Sequence, residues 1–298
     1  MTKVMIMDGG MGRELKRMGA PFRRPEWSAL ALMEKPETVT QAHQSFVNAG
    51  AEIIISNTYA IVPFHIGQER FDEQGRALTK LAAKIARDVA KKNDGVTVAG
   101  SLPPAFGSYR PDLFEVDKAA DIYVPLIEEQ ESYVDVWLAE TMSSKAEVDF
   151  LIGLIRKYSE KPIWVSYSLL DRGEKNVADD AKPQLRSGEP VEMAIEQAKT
   201  FNIDAMFFNC SQVEEMSPAL EIIERSDLTI PYGAYANAFV PIDKTKSVDS
   251  DETDLRDEMT PEAYFEFTKE WKDLGATIIG GCCGIGPEHI LKLQNLNN

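Results

Sequence analysis

Residues 134–167 read VDVWLAETMSSKAEVDFLIGLIRKYSEKPIWVSY. Two short runs rich in β-branched and aromatic residues, 134–139 and 162–167, flank a longer stretch whose apolar residues recur at helical spacing. Strand, helix and strand in that order predict a parallel βαβ unit. The rhythm continues on both sides, with further strand-like runs at 3–7, 52–56, 96–100, 205–209, 230–235 and 277–280. The helices between them have legible ends. Pro36 and Glu37 open one that stops at Asn48, Ala49 and Gly50, and Thr260, Pro261 and Glu262 open another that stops at Gly275.

At 298 residues, a typical domain size of ~150 residues suggests two domains. Eight βα repeats without a Ser/Gly linker fit better with an α/β fold of one piece, a single (β/α)8 TIM-type barrel over residues 1–298. Residues 171–190 and 237–258 break the rhythm. Both stretches are polar, acidic and irregular, and each follows the C-terminal end of a strand, where barrel active sites are built. They read either as lids or as plain surface insertions.

Hydrophobic residues make up 44% and charged residues 27%, enough for a substantial core, so disorder throughout is excluded. The net charge of −16 repels phosphates and anionic membranes, which argues against nucleic acid or a membrane surface as partner. The apolar run at the start meets Asp8 too early for a signal peptide, and no stretch approaches a membrane span. A cytoplasmic protein is expected, with self-association into a homo-oligomer left open.

Three cysteines and no secretion signal make a disulfide framework improbable. All three follow strand-like runs: Cys210 ends AMFFNCS, and Cys282 and Cys283 lie in ATIIGGCCGIGPEHI. A closed barrel would carry all of them to one rim, where three thiolates could meet one Zn2+ and leave a fourth position open. Gly280, Gly281, Gly284 and Gly286 supply the freedom that adjacent ligands require. Small buried core residues, or a strained Cys282–Cys283 disulfide, are the alternatives. His43, His65 and His289 read as surface or packed histidines. A three-sulfur metal with a vacancy favours binding an incoming thiol as thiolate and transferring an electrophile to it.

At these residues the chain resembles the homocysteine S-methyltransferase family. The likeness is carried by MDGGMGREL, SNTY, GSL, LAET, NCS, YAN and, most specifically, GGCCGIGPEHI, in order from start to close. It implies a distorted (β/α)8 barrel, zinc on Cys210, Cys282 and Cys283, and homocysteine sulfur in the open position, with methionine as product. Carried over by position, Asp8 and Gly9 contact the amino and carboxylate groups of homocysteine, Ser56 and Thr58 lie nearby, and Glu140 pairs with the ammonium. Asn237 is a candidate fourth zinc ligand before substrate arrives. Alone, Asp8 also fits a strand-end turn former and Glu140 a helix-start residue. The chain departs from its relatives at GSLPPAFGSYRPD, where a Gly-Pro turn is common, and at Thr141, where betaine-using relatives carry an aromatic residue.

The methyl donor would be a small onium compound, S-methylmethionine, S-adenosylmethionine, betaine or dimethylsulfoniopropionate, or else a methylated folate. Aromatic faces hold onium cations, and Phe64, Phe106, Tyr109, Tyr167 and Tyr235 lie near strand ends. No strand is followed by G-x-G-x-x-G, so nothing suggests a Rossmann nucleotide site, and the length leaves no room for folate, cobalamin and activation domains. The alternatives are a related zinc thiol or selenol alkyltransferase, an osmolyte-demethylating enzyme, and a noncatalytic thiol or metal sensor.

Overall fold

The computed structural model describes residues 3–171, 182–240 and 254–298. Eight strands, β1 (Met5–Ile6), β2 (Ile53–Ile55), β3 (Thr97–Leu102), β4 (Val136–Met142), β5 (Ile163–Tyr167), β6 (Ala205–Asn209), β7 (Tyr232–Tyr235) and β8 (Ile278–Ile279), form one parallel sheet. Hydrogen bonding runs β1-β8-β7-β6-β5-β4-β3-β2. The two ends of that row also meet. Met7 bridges Ile53 in parallel, the Glu52 N–H donates to Ile6 O at 2.7 Å, and the Asp8 N–H donates to Ile53 O at 2.9 Å. The ring is thereby closed into the expected TIM-type barrel.

Each strand overlaps an expected run, and the differences have local causes. β3 continues to Leu102, where Pro103 and Pro104 stop it. β7 starts at Tyr232 because Pro231 has no N–H to give the ladder. β4 runs through Glu140 to Met142, so Glu140 is a strand residue and not the helix start that the macrodipole reading had it open. The following helix, Lys145–Tyr158, is opened instead by Ser144. Its Oγ accepts the Glu147 N–H, while the Glu147 carboxylate accepts the N–H groups of Ser143 and Ser144 at 2.9 and 3.1 Å. The helices expected from Pro36 and Pro261 span Pro36–Asn48 and Pro261–Asp273, the latter capped by the Thr260 side chain.

Alternation along the strands sorts side chains into two cores. Met7, Ile53, Ala99, Val136, Leu138, Trp164, Ala205, Phe207, Tyr235 and Ile278 fill the barrel, and a larger cluster packs strands against helices. The same parity carried toward the C-terminal rim points Ser101, Glu140, Ser166 and Asn209 inward, which makes the upper interior polar. At the opposite end, Asn297 exchanges two 2.8 Å hydrogen bonds with the backbone of Val4, tying the last turn to the first strand. Among the described residues no helix is long and apolar enough to cross a membrane.

The two irregular stretches leave and re-enter the rim as short antiparallel ladders, Leu169 with Leu185 and Phe239 with Leu255. Residues 172–181 and 241–253, on which the choice between lid and insertion turns, lie outside the described residues.

Closure leaves no slack where β7 meets β8. A Cβ on Gly233 would fall 1.6 Å from the carbonyl oxygen of Ile278. Gly233→Ala is expected to destabilise the barrel by about 3 kcal/mol, the upper end of overpacking costs, because backbone and not a side-chain tip must move. Urea unfolding measures this, and a loss below about 0.5 kcal/mol would show that the ring can yield there.

Candidate metal and substrate site

β6 and β8 are two strands apart in the ring, so the residues that follow them share the rim. The sulfurs of Cys210, Cys282 and Cys283 all lie within 4.8 Å of one another. Tetrahedral thiolates about 2.3 Å from one ion are themselves about 3.8 Å apart, so this donor set fits a soft metal ion with little adjustment. All three cysteines are free, so the Cys282–Cys283 disulfide reading fails. Of the four glycines expected to allow the close, Gly284 has the left-handed backbone, φ +88°, and a Cβ there would meet Leu255 and Ala238 at 2.7 and 2.9 Å. Hydrogen bonds from Cys210 and Cys282 hold the Cys283 thiol well below its ordinary range, whereas bonding to Cys210 and then Cys283, with burial, raises Cys282.

The sulfurs open into a cavity that Asp8, Gly9, Ser56 and Glu140 also line. Asp8, at the end of β1, is 2% exposed. Its Oδ2 accepts the Ile55 N–H at 2.9 Å, but no donor among the described residues reaches Oδ1. Burial, and then the nearby Glu140, raises its carboxyl well above the ordinary range. An Asp turn former would accept the N–H two residues along its own chain; here the Gly10 N–H goes to Ile285 O and Oδ2 bonds Ile55 across the sheet.

Glu140 is aimed by a bulge. β4 spends three steps from Ala139 to Met142 while β5 spends two from Val165 to Tyr167, and Thr141 takes φ +60° in between. Asn209 staples that bulge. Its Oδ1 accepts the Thr141 N–H at 3.0 Å and the Ser166 Oγ–H at 2.7 Å, and its Nδ2 donates to Thr141 Oγ1 at 2.9 Å. Glu140 then receives the Ser101 hydroxyl. Burial pushes its carboxyl up to about 7, the Ser101 bond pulls it down, and charge on Cys210 raises it further. Asn209 was visible in the sequence only as the first letter of NCS, and nothing there indicated that it reaches across two strands.

Other expected residues take supporting places. Thr58 is fully buried, donates to Ser101 O at 2.8 Å, and does not line the cavity. The Ser56 hydroxyl donates to Gln130 Oε1 at 2.7 Å and accepts the Ser101 N–H at 3.0 Å. Asn237 Oδ1 accepts the Phe239 N–H at 3.0 Å, a turn at the base of the 239–255 ladder, and Asn237 is not among the cavity residues. All three histidines are buried, as packed residues; burial lowers His43 to about 4.

Of the five aromatics expected near the site, Tyr109 and Tyr235 line it. Tyr167 points to the outer layer and donates to Gln197 Oε1 at 2.6 Å, Phe106 packs on Phe114, and Phe64 on His65. Two aromatic liners went unforeseen: Trp27, ahead of the helix Ser28–Glu34, and Tyr59, whose place in SNTY was the available signal. Backbone strain gathers here as well. Of the five described non-glycine residues with positive φ, Trp27, Tyr109, Thr141 and Cys210 line this cavity.

Comparison with known proteins identifies the family. The family model for homocysteine S-methyltransferase matches residues 5–296. The chain is 27% identical to homocysteine S-methyltransferase 1 of Brassica oleracea over 97% of this chain and 92% of that one. It is 23% identical to a selenocysteine methyltransferase of Astragalus bisulcatus, over 99% and 92%. The metallated form of the homocysteine methyltransferase MmuM from Escherichia coli superposes with a TM-score of 0.79 at 24% identity, covering 98% and 96% of the two chains, which shows the shared barrel. With a family model matched from the first strand to the last turn, the chain belongs to the homocysteine S-methyltransferase family.

Proposed function

We propose that this chain transfers a methyl group from a small onium donor to the sulfur of homocysteine, giving methionine, with zinc held by Cys210, Cys282 and Cys283. The observation that carries this reading is a buried carboxylate oxygen without a donor, Asp8 Oδ1, in the same cavity as three free thiols. An amino acid whose side chain ends in sulfur satisfies both. Its ammonium would supply the donor that Asp8 lacks and the positive charge that Glu140 would pair with, and its carboxylate would meet Gly9, which lines the same cavity.

Zinc bound to the cysteines would keep the substrate sulfur deprotonated near neutral pH. The chain's own residues do the rest. Asp8 and Glu140 would fix the amino acid end, and Trp27, Tyr59 and Tyr235 line the same cavity, aromatic residues of the kind that hold a sulfonium or quaternary ammonium. The carbon–sulfur bond of methionine forms as the bond from methyl to onium centre breaks, and the thiol proton leaves to solvent. Held in line, the two reactants avoid most of the entropic cost of meeting. The selenocysteine methyltransferase relative makes a selenol the competing acceptor.

Purified protein loaded with zinc is expected to form methionine from homocysteine with S-methylmethionine, S-adenosylmethionine, betaine or dimethylsulfoniopropionate, one of them turning over well above the rest. Mass spectrometry of the product checks this; methylation of selenocysteine with homocysteine inert would assign the acceptor differently. Cys283→Ala should lose bound metal and turnover together while far-UV circular dichroism stays that of a barrel. Full activity in this variant, or in protein stripped of metal, would refute the zinc assignment.

The raised Glu140 carboxyl gives a pH dependence of definite sign. Below about 7 Glu140 is protonated in the ligand-free protein and offers the ammonium no charge, so homocysteine affinity is expected to rise with pH through that value, with a proton released on binding. Folding stability from this group runs the other way: the folded form binds its proton more tightly than the unfolded chain, so the contribution is lost as pH climbs from about 4.5 through about 7. Isothermal titration in buffers of differing ionisation heat reads the released proton. Glu140→Gln should remove the inflection, and an unchanged profile in that variant would place it elsewhere.

A further inference from the structure

Tyr109 lies seven residues past the end of β3, yet its hydroxyl crosses the rim to reach β6. It donates to Cys210 Sγ at 2.9 Å and approaches Cys210 O at 3.3 Å. The reach is imposed by its surroundings: Tyr109 sits at φ +63°, which a bulky residue adopts only when its setting demands it. The Arg186 guanidinium lies over the tyrosine ring, 5.1 Å from its centre. Arg186 is itself held by Leu169 O at 3.2 Å and Asp171 Oδ2 at 3.4 Å, with both charged side chains nearly buried. Asp171 Oδ1 in turn accepts the N–H of Gln212, two residues past Cys210, at 3.0 Å. The hydroxyl, the clamp on its ring and the ligand-bearing strand thus form one closed chain of contacts.

Charge explains why such a donor is useful. Three thiolates on a divalent cation carry a net −1, and a fourth sulfur makes it −2, in a cavity that also holds Asp8 and Glu140. A neutral O–H directed at one sulfur stabilises that excess without adding a cation that would compete for the onium donor's place. A hydrogen bond to a thiolate is also stronger than one to a thiol, so it favours the metal over protons for possession of the sulfur.

We propose that Tyr109 is a positioning residue for the metal centre, its hydroxyl donating to the Cys210 thiolate and thereby setting metal retention and the electron richness of the sulfur cluster. The inference rests on the reading of Cys210, Cys282 and Cys283 as metal ligands. Outer partners of this kind typically govern about 10–100-fold in metal affinity.

The test uses Co2+ as a spectroscopic probe of the full chain, with Tyr109→Phe keeping the ring and its Arg186 contact. Wild type should show an intense sulfur-to-cobalt charge-transfer band. In Tyr109→Phe the band should move to longer wavelength, since a thiolate relieved of its hydrogen bond gives up charge more readily, and chelator competition should show metal held about 10-fold or more weakly. If Tyr109→Phe folds poorly, as judged by metal-free thermal unfolding, Arg186→Gln loosens the clamp instead and should move the band in the same direction by less. A band in wild type that stays in place in both variants, with metal affinity within twofold, overturns the role of Tyr109 and leaves the metal site standing. No charge-transfer band in wild type overturns the metal reading and this inference with it.

Discussion

Hydrogen bonding of β1 to both its neighbours converts a row of eight strands into a ring, and the site depends on that closure. β1 is two residues long, but it pairs with β8 through Met5 and Ile6 and, just past its end, with β2 through Met7. Asp8 follows at once. Its N–H is spent on Ile53, its carbonyl accepts the N–H of Gly281, and its Oδ2 accepts from Ile55, so one residue is bonded to β2 and to the segment that presents Cys282. Without closure, Asp8, the cysteine pair and β2 would have no common frame.

Within that frame the rim carries features that stability alone would not select. Positive φ at Thr141 and Cys210 costs of order 1–3 kcal/mol each. Glu140 lies close enough to the buried Asp8 to raise it, and three free thiols crowd within 4.8 Å of one another. The proposed reading accounts for the buried acids and thiols: an ammonium would offset the first and a metal cation the second. The fold holds them in place with neutral hydrogen bonds, chiefly those of Asn209, Ser101 and Ser56, which satisfy groups without cancelling the charge that binding uses.

The architecture was legible because it follows from local pattern. Apolar runs of strand length alternate with helical spacing eight times, and β6 coincides with its expected bounds. Position at strand ends pointed to the three cysteines, since in this fold residues there reach the rim, and the family resemblance pointed to Asp8 and Glu140. What could not be read were contacts made across strands. Glu140 looked like a helix start because the bulge that prolongs β4 is held by Asn209, sixty-nine residues later. Tyr167 ends its strand as Tyr235 does, but alternation sends it to the outer layer; Phe64 and Phe106, in the segments after β2 and β3, pack on His65 and Phe114, while Trp27 arrives from a turn with no strand signal.

Periodicity and the spacing of a few residue types were therefore enough for the barrel and for placing the cysteines on its rim, because strand and helix patterns are set between near neighbours in the chain and the fold then fixes where strand ends lie. The direction in which each rim side chain points, the oxygen of Asp8 left without a donor, and the tyrosine that bonds Cys210 from β3's loop were decided only on folding. Those features arise where residues 40 to 100 positions apart compete for the same small volume, and the outcome depends on packing and hydrogen-bond satisfaction across the whole ring.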